Sequence, residues 1–165
     1  MSDYEHRWGR LPVDTDKTPS SSETIMTRIV YPDDTNPMQM LNGGRIIEWM
    51  DTACAICAQM HSDKICVTVA IDKVVFKKPA KLGDIVSIRA KITRAFTSSV
   101  EIFAEARSRR TTTRESFVIT TAYFTFVALD AGGIERAQIP QIRAQSDEER
   151  REFDEAQRRR EGRSR

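Results

Sequence analysis

Apolar and polar residues alternate along five stretches of the chain, as they do in β-strands that present one face to a core. These stretches cover residues 24–32, 65–76, 84–96, 99–109 and 116–129, and the last four are long and rich in β-branched residues. The last four are separated by short, turn-like segments at 77–83, 97–98 and 110–115. Short separators favour antiparallel hairpins over parallel crossovers, so the pattern predicts an antiparallel sheet.

Between the first two strands, a run from residue 43 to residue 60 contains no helix breaker after its opening glycines. At about 100° per residue, Arg45, Glu48, Thr52 and Gln59 fall on one narrow polar stripe, and nearly every other position is apolar. A helix that is apolar on most sides is enclosed by other elements. We therefore predict an α+β fold in which the sheet wraps one long central helix.

Asp51 is the exception to this helical pattern, because it lies roughly 80° away from the polar stripe. Its neighbours on the helix surface are Ile47, Cys54, Ala55 and Ala58. We expect a partly buried carboxylate there.

Length and charge narrow the class of protein. The chain has 165 residues, which suits one domain with tails, and its 26 basic and 24 acidic residues give a net charge of +2. This balance gives no support to a nucleic-acid partner. No apolar run reaches 18 residues and the first twenty lack the apolar core of a signal peptide, so we expect a cytoplasmic protein without membrane insertion. Three cysteines, an odd number within apolar segments, are expected to be buried, reduced thiols.

The two ends of the chain differ from its middle in composition. Residues 1–22 are polar and contain two prolines and a serine run, which predicts a flexible N-terminal lead. Residues 146–165 are highly charged, with five arginines in the last eight positions, and predict a helix that frays into a solvated tail; contact of its tip with phosphates of coenzyme A or of nucleic acid is the alternative. We therefore divide the chain into a lead (1–22), a folded domain (23–135) and a charged C-terminal helix or tail (136–165).

Several spaced motifs together resemble a known family. PDDTN (32–36), GG (43–44), WMD (49–51), FKKPAKLGD (76–84) and TSSVEIFAEA (97–106) are similar to the hotdog-fold acyl-coenzyme A thioesterases, of the cytosolic acyl-CoA hydrolase type. The resemblance implies a long helix wrapped by an antiparallel sheet of about five strands. It also implies homodimers with active sites at the interface, which assemble further into hexamers, as trimers of dimers.

The resemblance assigns roles to four residues. Asp51 matches the acidic general base or nucleophile of the central helix, and Asn36 matches an asparagine that pairs with this acid across the dimer interface. Gly43 and Gly44 match the glycines whose backbone N–H groups face the thioester carbonyl. Two positions depart from the family: Asn42 stands where relatives have an aromatic residue or histidine, and Gln39 where glycine is common.

General chemistry supports these roles but leaves simpler interpretations open. Thioester hydrolysis passes through a tetrahedral oxyanion, and the start of a helix supplies N–H donors and partial positive charge to hold it. A carboxylate away from bulk solvent can act as the base for water. A glycine pair also marks ordinary tight turns, and an asparagine before a proline, as at Asn36, is a good turn residue on propensity alone.

Coenzyme A carries phosphates, so its site needs basic and hydroxyl side chains near turns. The residues that meet this description are Lys77, Lys78, Arg94, Thr97, Ser98 and Ser99. An ordinary solvated turn is the competing interpretation. No cofactor is expected to be required, since coenzyme A is part of the substrate and product.

Other candidate sites are weaker. Cys54 and Cys57 have CxxC spacing but lie inside the helix without a second ligand pair, so we expect small core residues and no metal. His61 is expected to be a C-terminal cap or a surface residue. No phosphate loop, dinucleotide-binding motif or serine nucleophile elbow occurs in the sequence.

The resulting hypothesis is an acyl-CoA thioesterase that hydrolyses fatty acyl-CoA to free fatty acid and coenzyme A. An alternative is a hotdog domain that binds acyl-CoA as a sensor without hydrolysing it. Such sensors carry a DNA-binding helix-turn-helix, which residues 1–22 are too short and too polar to form. A hydratase of the same fold is a third option, but it needs a histidine partner for the acid, and His61 is poorly placed for this.

Overall fold

One antiparallel sheet of five strands wraps a single long helix in the computed structural model, which describes residues 16–163. The helix is α1 (Gly43–Ser62). The strands are β2 (Thr24–Ile29), β3 (Ile65–Phe76), β4 (Ile85–Ala95), β5 (Ser99–Arg109) and β6 (Ser116–Leu129), in the spatial order β2-β4-β5-β6-β3. The predicted α+β architecture is confirmed.

The core lies between α1 and the inner face of the sheet. Trp49, Met50 and Ala53 of α1 pack against alternating residues of the three central strands. The inner residues of those strands include Val86, Ile88, Ala90 and Ile92 of β4, Ile102, Ala104 and Ala106 of β5, and Ala122, Phe124 and Phe126 of β6. Small alanines on all three strands leave room for the helix to approach the sheet.

The strand order corrects one prediction made from the separators. Hairpins join β4 to β5 and β5 to β6 as expected, but β3 pairs with β6 and not with β4. Residues 77–84 instead cross one end of the sheet, with hydrogen bonds from Lys77 N to Ile119 O and from Gly83 N to Val30 O. Eight extended residues reach about 26 Å, ample for the roughly 14 Å across three strand spacings.

A segment near the N-terminus is docked on the domain. Strand β1 (Asp16–Lys17) pairs in parallel with β7 (Gln141–Ile142), and the Lys17 ammonium donates to the His61 carbonyl at the end of α1, at 2.6 Å. Pro19 and Ser22 are buried. The predicted boundary at residue 22 thus falls inside a segment that contacts the domain. Residues 1–15 lie outside the described residues.

The C-terminal segment forms a helix, as predicted, but one side of it is docked on the domain. Helix α2 (Asp147–Arg163) packs on the outer face of the sheet, opposite α1. Arg159 reaches Glu101 of β5, which is completely buried, with N···O distances of 2.7 and 3.1 Å. Arg163 donates to Thr125 and forms an ion pair with Asp72. The expectation of a fraying, solvated tail is wrong for these residues, because their arginines are paired with carboxylates of distant strands.

Within residues 16–163, neither helix combines the length and the apolar character needed to cross a lipid bilayer.

Candidate active site

Asp51 lies two turns into α1 and is half-buried, as its position off the polar stripe predicted. Its Oδ1 accepts a hydrogen bond of 2.6 Å from the Thr68 hydroxyl. Thr68 belongs to β3, the edge strand that runs beside α1. The pair places a carboxylate, fixed by one hydrogen bond, beside the open edge of the sheet.

Thr68 is the functional candidate that the sequence analysis missed. A threonine in a strand of valines and isoleucines conforms to ordinary β-propensity, so no local signal distinguishes it. Only its contact with an acid on another element does so.

The start of α1 is built from Asn42, Gly43 and Gly44. Asn42 is the N-cap, and its side-chain oxygen accepts a hydrogen bond of 2.9 Å from the Gly44 N–H. A Cβ atom at Gly43 would lie 3.4 Å from the Phe76 ring, so the end of β3 lies directly beside this position. Both glycines are exposed, which leaves the helix start open to a ligand.

The loop before α1 is held by Asn36. Its side-chain oxygen accepts hydrogen bonds from the backbone N–H groups of Met38 and Met40, at 3.0 and 3.2 Å. Within the described part of one protomer, Asn36 therefore acts as a turn residue, with its side-chain oxygen bound to its own loop and not to Asp51. Gln39 in the same loop has φ = 57°, a left-handed conformation that glycine adopts without strain. This explains why the family resemblance expects glycine at that position.

Gly43 and Asp51 lie at different heights along α1. They are separated by eight residues, which corresponds to about 12 Å at the rise of an α-helix. Within one protomer, the helix start and the Asp51 carboxylate are therefore not in direct contact.

The predicted coenzyme A residues fall into two groups at opposite ends of the sheet. Lys77 and Lys78 are exposed and follow Phe76, near the start of α1. Thr97, Ser98 and Ser99 form the turn between β4 and β5, where Ser98 O accepts from Ala128 N beside the start of β3. Since β3 is roughly 36 Å long, one protomer does not bring the two groups together.

Arg94, the sixth predicted residue, is engaged by α2. Its guanidinium carbon lies 3.9 Å from the centre of the Phe153 ring, and Nη1 donates to the Phe153 carbonyl at 3.1 Å. These contacts hold the side chain on the outer face of the sheet.

The cysteines of α1 are buried in the core. Burial raises the pKa of Cys57 to about 12 and raises that of Cys54 well above its ordinary value. Both therefore remain protonated at neutral pH, and they lie at the apolar interface between α1 and the sheet.

His61, at the end of α1, is fully buried and is not the surface residue that was expected. Its Nε2 lies 2.8 Å from the carbonyl oxygen of Pro140, to which the neutral ring donates. Its Nδ1 is buried, with no hydrogen-bond partner among the described residues. Burial lowers the pKa of His61 below 6.5, although the Pro140 carbonyl opposes this shift.

This environment makes stability depend on pH. Below pH 6.5, His61 binds a proton more readily in the unfolded chain than in the folded chain. We therefore expect the free energy of unfolding to fall as the pH drops. The limiting slope for one group is about 1.4 kcal/mol per pH unit. Urea unfolding at pH 7.5 and 5.5 measures this change. His61→Gln, which keeps a donor for Pro140, should show a weaker dependence, and an equal dependence in both proteins contradicts the assignment.

Comparison with known proteins places the chain in a family. A family model described as the thioesterase superfamily matches residues 38–114. The acetyl-coenzyme A thioesterase of Rattus norvegicus is 32% identical over 132 residues, which cover 80% of this chain and 24% of that protein. An acyl-CoA thioester hydrolase of Bacillus subtilis, YkhA, described as uncharacterized, is 33% identical over 128 residues, 78% of this chain and 74% of the relative. The chain spans about a quarter of the length of the rat and mouse acetyl-coenzyme A thioesterases.

Comparison with solved structures indicates the same family. An apo-hexameric acyl-CoA thioesterase has a TM-score of 0.86 at 32% identity, covering 90% of this chain and 95% of the other. The acyl-CoA hydrolase of Staphylococcus aureus, in complex with butyryl coenzyme A, has a TM-score of 0.82 at 34% identity over 90% of each chain. The chain belongs to the hotdog-fold acyl-CoA thioesterase family.

Structures of the Staphylococcus aureus enzyme include variants in which an aspartate, an asparagine or a threonine is replaced by alanine. Those three positions have the same spacing along the chain as Asp51, Asn36 and Thr68. The two chains therefore carry the same three residue types at the same spacing.

Proposed function

We propose that this chain hydrolyses acyl-CoA thioesters, releasing a carboxylic acid and coenzyme A. The observation that carries the proposal is the half-buried Asp51 carboxylate, held by the Thr68 hydroxyl at 2.6 Å beside the open edge of the sheet. The family membership and the open, glycine-lined start of α1 support it. Fatty acyl-CoA is the proposed substrate class, and no further cofactor is required.

The chemistry follows from these groups. Asp51 takes a proton from a water molecule, and the resulting hydroxide forms a bond to the thioester carbon. The N–H groups at the start of α1 stabilise the oxyanion that forms on the carbonyl oxygen. The C–S bond then breaks, the oxyanion becomes the acid product, and the coenzyme A sulfur leaves as a thiolate that is protonated from Asp51 or solvent. Thr68 keeps the carboxylate oriented.

We propose that each active site is shared between two protomers. About 12 Å separates the helix start from Asp51 within one chain, and a site assembled from two chains lets the two halves meet at one carbon. Asn36, Gly43 and Gly44 of one protomer form the first half. Asp51 and Thr68 of the other form the second.

The edge strand β3 is suited to form this dimer. It is 12 residues long and, among residues 16–163, has no neighbouring strand on one side, and such an edge invites pairing with another strand. Seven of its large apolar side chains are between 37% and 58% exposed: Ile65, Val67, Val69, Ile71, Val74, Val75 and Phe76. Antiparallel pairing of two β3 strands would cover this surface and bring the Thr97–Ser99 turn of one protomer towards Lys77 and Lys78 of the other. These groups then form the proposed binding site for the coenzyme A phosphates. By analogy with the hexameric relative, three dimers assemble into a hexamer.

Subunit mixing tests the shared site. Asn36→Ala and Asp51→Ala should each be inactive, but equal amounts allowed to exchange subunits should recover about a quarter of wild-type activity. Half of the dimers are then mixed, and each mixed dimer contains one intact site. Native mass spectrometry of the two masses verifies exchange. If exchange is complete and no activity returns, each site is built within one chain.

The three free cysteines, two of them buried, support a reducing compartment, and we propose a cytoplasmic location.

Release of free thiol from acyl-CoAs with chains of two to eighteen carbons tests the proposed reaction. We expect turnover with at least part of this series. Tight binding of acyl-CoA without thiol release at any chain length would instead indicate the non-catalytic sensor.

A further inference from the structure

One of the two N–H donors proposed to hold the oxyanion, that of Gly44, is already occupied within the protein itself. The Gly44 N–H donates to the side-chain oxygen of Asn42 at 2.9 Å. A substrate oxygen can receive this N–H only after the Asn42 side chain has moved away. The same side chain is exposed, so space to move is available.

The backbone of Asn42 is held independently of its side chain. Its N–H donates to the Asp34 carbonyl at 2.9 Å, and its own carbonyl accepts from the Ile46 N–H at 3.1 Å, which closes the first turn of α1. Asp34 is fixed in turn by an ion pair with Arg45. The Asn42 side chain can therefore rotate off Gly44 without unwinding the helix.

Helices α1 and α2 begin differently. Helix α2 has three acidic residues in its first turn, and the Ser146 hydroxyl accepts from the Glu149 N–H at 3.1 Å. Helix α1 has no acid in its first turn, so the neutral amide oxygen of Asn42 is the side-chain group that faces its positive end. A neutral acceptor forms a weaker hydrogen bond than a charged one, and a developing oxyanion can displace it.

We propose that Asn42 is a positioning residue that competes with the thioester oxygen for the Gly44 N–H. In the free protein the Asn42 side chain caps α1, and during the reaction it yields this donor to the oxygen that gains negative charge. The inference rests on the proposed thioesterase function. It predicts that Asn42 stabilises the fold and slows the reaction, two effects of opposite sign.

Asn42→Ala tests this directly. Loss of an N-cap residue should lower the melting temperature by about 2–4 °C. The Gly44 N–H is then unoccupied, so kcat/KM for acyl-CoA should rise about fivefold, the equivalent of the roughly 1 kcal/mol contributed by a cap. Ser146→Ala is the matched control, because it removes the cap of α2. It should lower the melting temperature similarly and leave kcat/KM unchanged.

Asn42→Asp provides the opposite change. A carboxylate is a stronger acceptor for the Gly44 N–H and places negative charge where the oxyanion forms. We expect kcat/KM to fall at least about tenfold while the melting temperature stays the same or rises. A variant that only disturbed the fold would lose stability as well.

A binding measurement separates this inference from the proposed function. The probe is the methyl ketone analogue of acetyl-CoA, in which a methylene group replaces the sulfur, so that it cannot be hydrolysed. Asn42→Ala should bind it two- to fivefold more tightly than the wild-type protein, even if the wild type hydrolyses no acyl-CoA. The role of Asn42 is overturned if Asn42→Ala binds this probe no more tightly than the wild type does. It is also overturned if folded Asn42→Ala has a kcat/KM no higher than that of the wild type. Either result leaves the proposed function standing wherever thiol release is observed.

Discussion

Asp51→Asn is expected to lower kcat for acyl-CoA hydrolysis at least about 100-fold while leaving the fold intact. Asparagine has nearly the same volume as aspartate, and its side-chain oxygen can still accept the hydrogen bond from Thr68. It cannot take a proton from water at neutral pH. The measurement is thiol release under saturating substrate, together with the melting temperature of each protein.

Asp154→Asn is the matched control for this variant. Asp154 is exposed on α2, on the opposite side of the sheet from α1. The same chemical change there should affect neither kcat nor the melting temperature. Wild-type turnover by a folded Asp51→Asn protein would remove Asp51 from the mechanism, whereas loss of activity together with a large drop in melting temperature would point to a structural role.

Most of the sheet could be predicted from the sequence because alternation persists over long strands. The predicted bounds of β3, β5 and β6 agree with those observed, and β2 and β4 differ by a few residues at their ends. The paired strands β1 and β7 were missed because two residues carry no periodicity. The expected hairpin between β3 and β4 was wrong because a seven-residue separator can equally turn back or cross the end of a sheet.

The candidate site could likewise be predicted only in part from the sequence. Asp51 was identified because a local rule, the helical period, makes a carboxylate at that position exceptional. Thr68 and the occupied Gly44 N–H could not be identified, since both depend on contacts rather than on periodicity. Asn42 was noticed as a departure from the family, but its hydrogen bond to Gly44 appears only in three dimensions.

The C-terminal helix shows the limit of charge patterns. Its composition predicts a solvated tail, but a composition does not reveal where the opposite charges lie. Glu101 is 58 residues from Arg159 along the chain, and Thr93 donates a further hydrogen bond of 2.8 Å to the same carboxylate. The Arg159 guanidinium also lies 3.8 Å from the centre of the Tyr123 ring. Removal of residues 156–165 would therefore leave Glu101 without its closest cation, so truncation is expected to destabilise the domain rather than to have no effect.

Arg159→Ala isolates this contribution and is expected to lower the free energy of unfolding by about 3 kcal/mol, since it leaves a fully buried carboxylate without its main partner. Urea unfolding measures the loss.

Arg158→Ala, a substitution of the neighbouring exposed arginine, should change the free energy of unfolding by less than about 0.5 kcal/mol. Adding Glu101→Gln to Arg159→Ala should restore part of the loss, because the amide is neutral and can still accept from Thr93. Equal stability of Arg159→Ala and Arg158→Ala would mean that α2 is bound to the sheet by its apolar contacts, with Arg159 contributing no more than a surface residue.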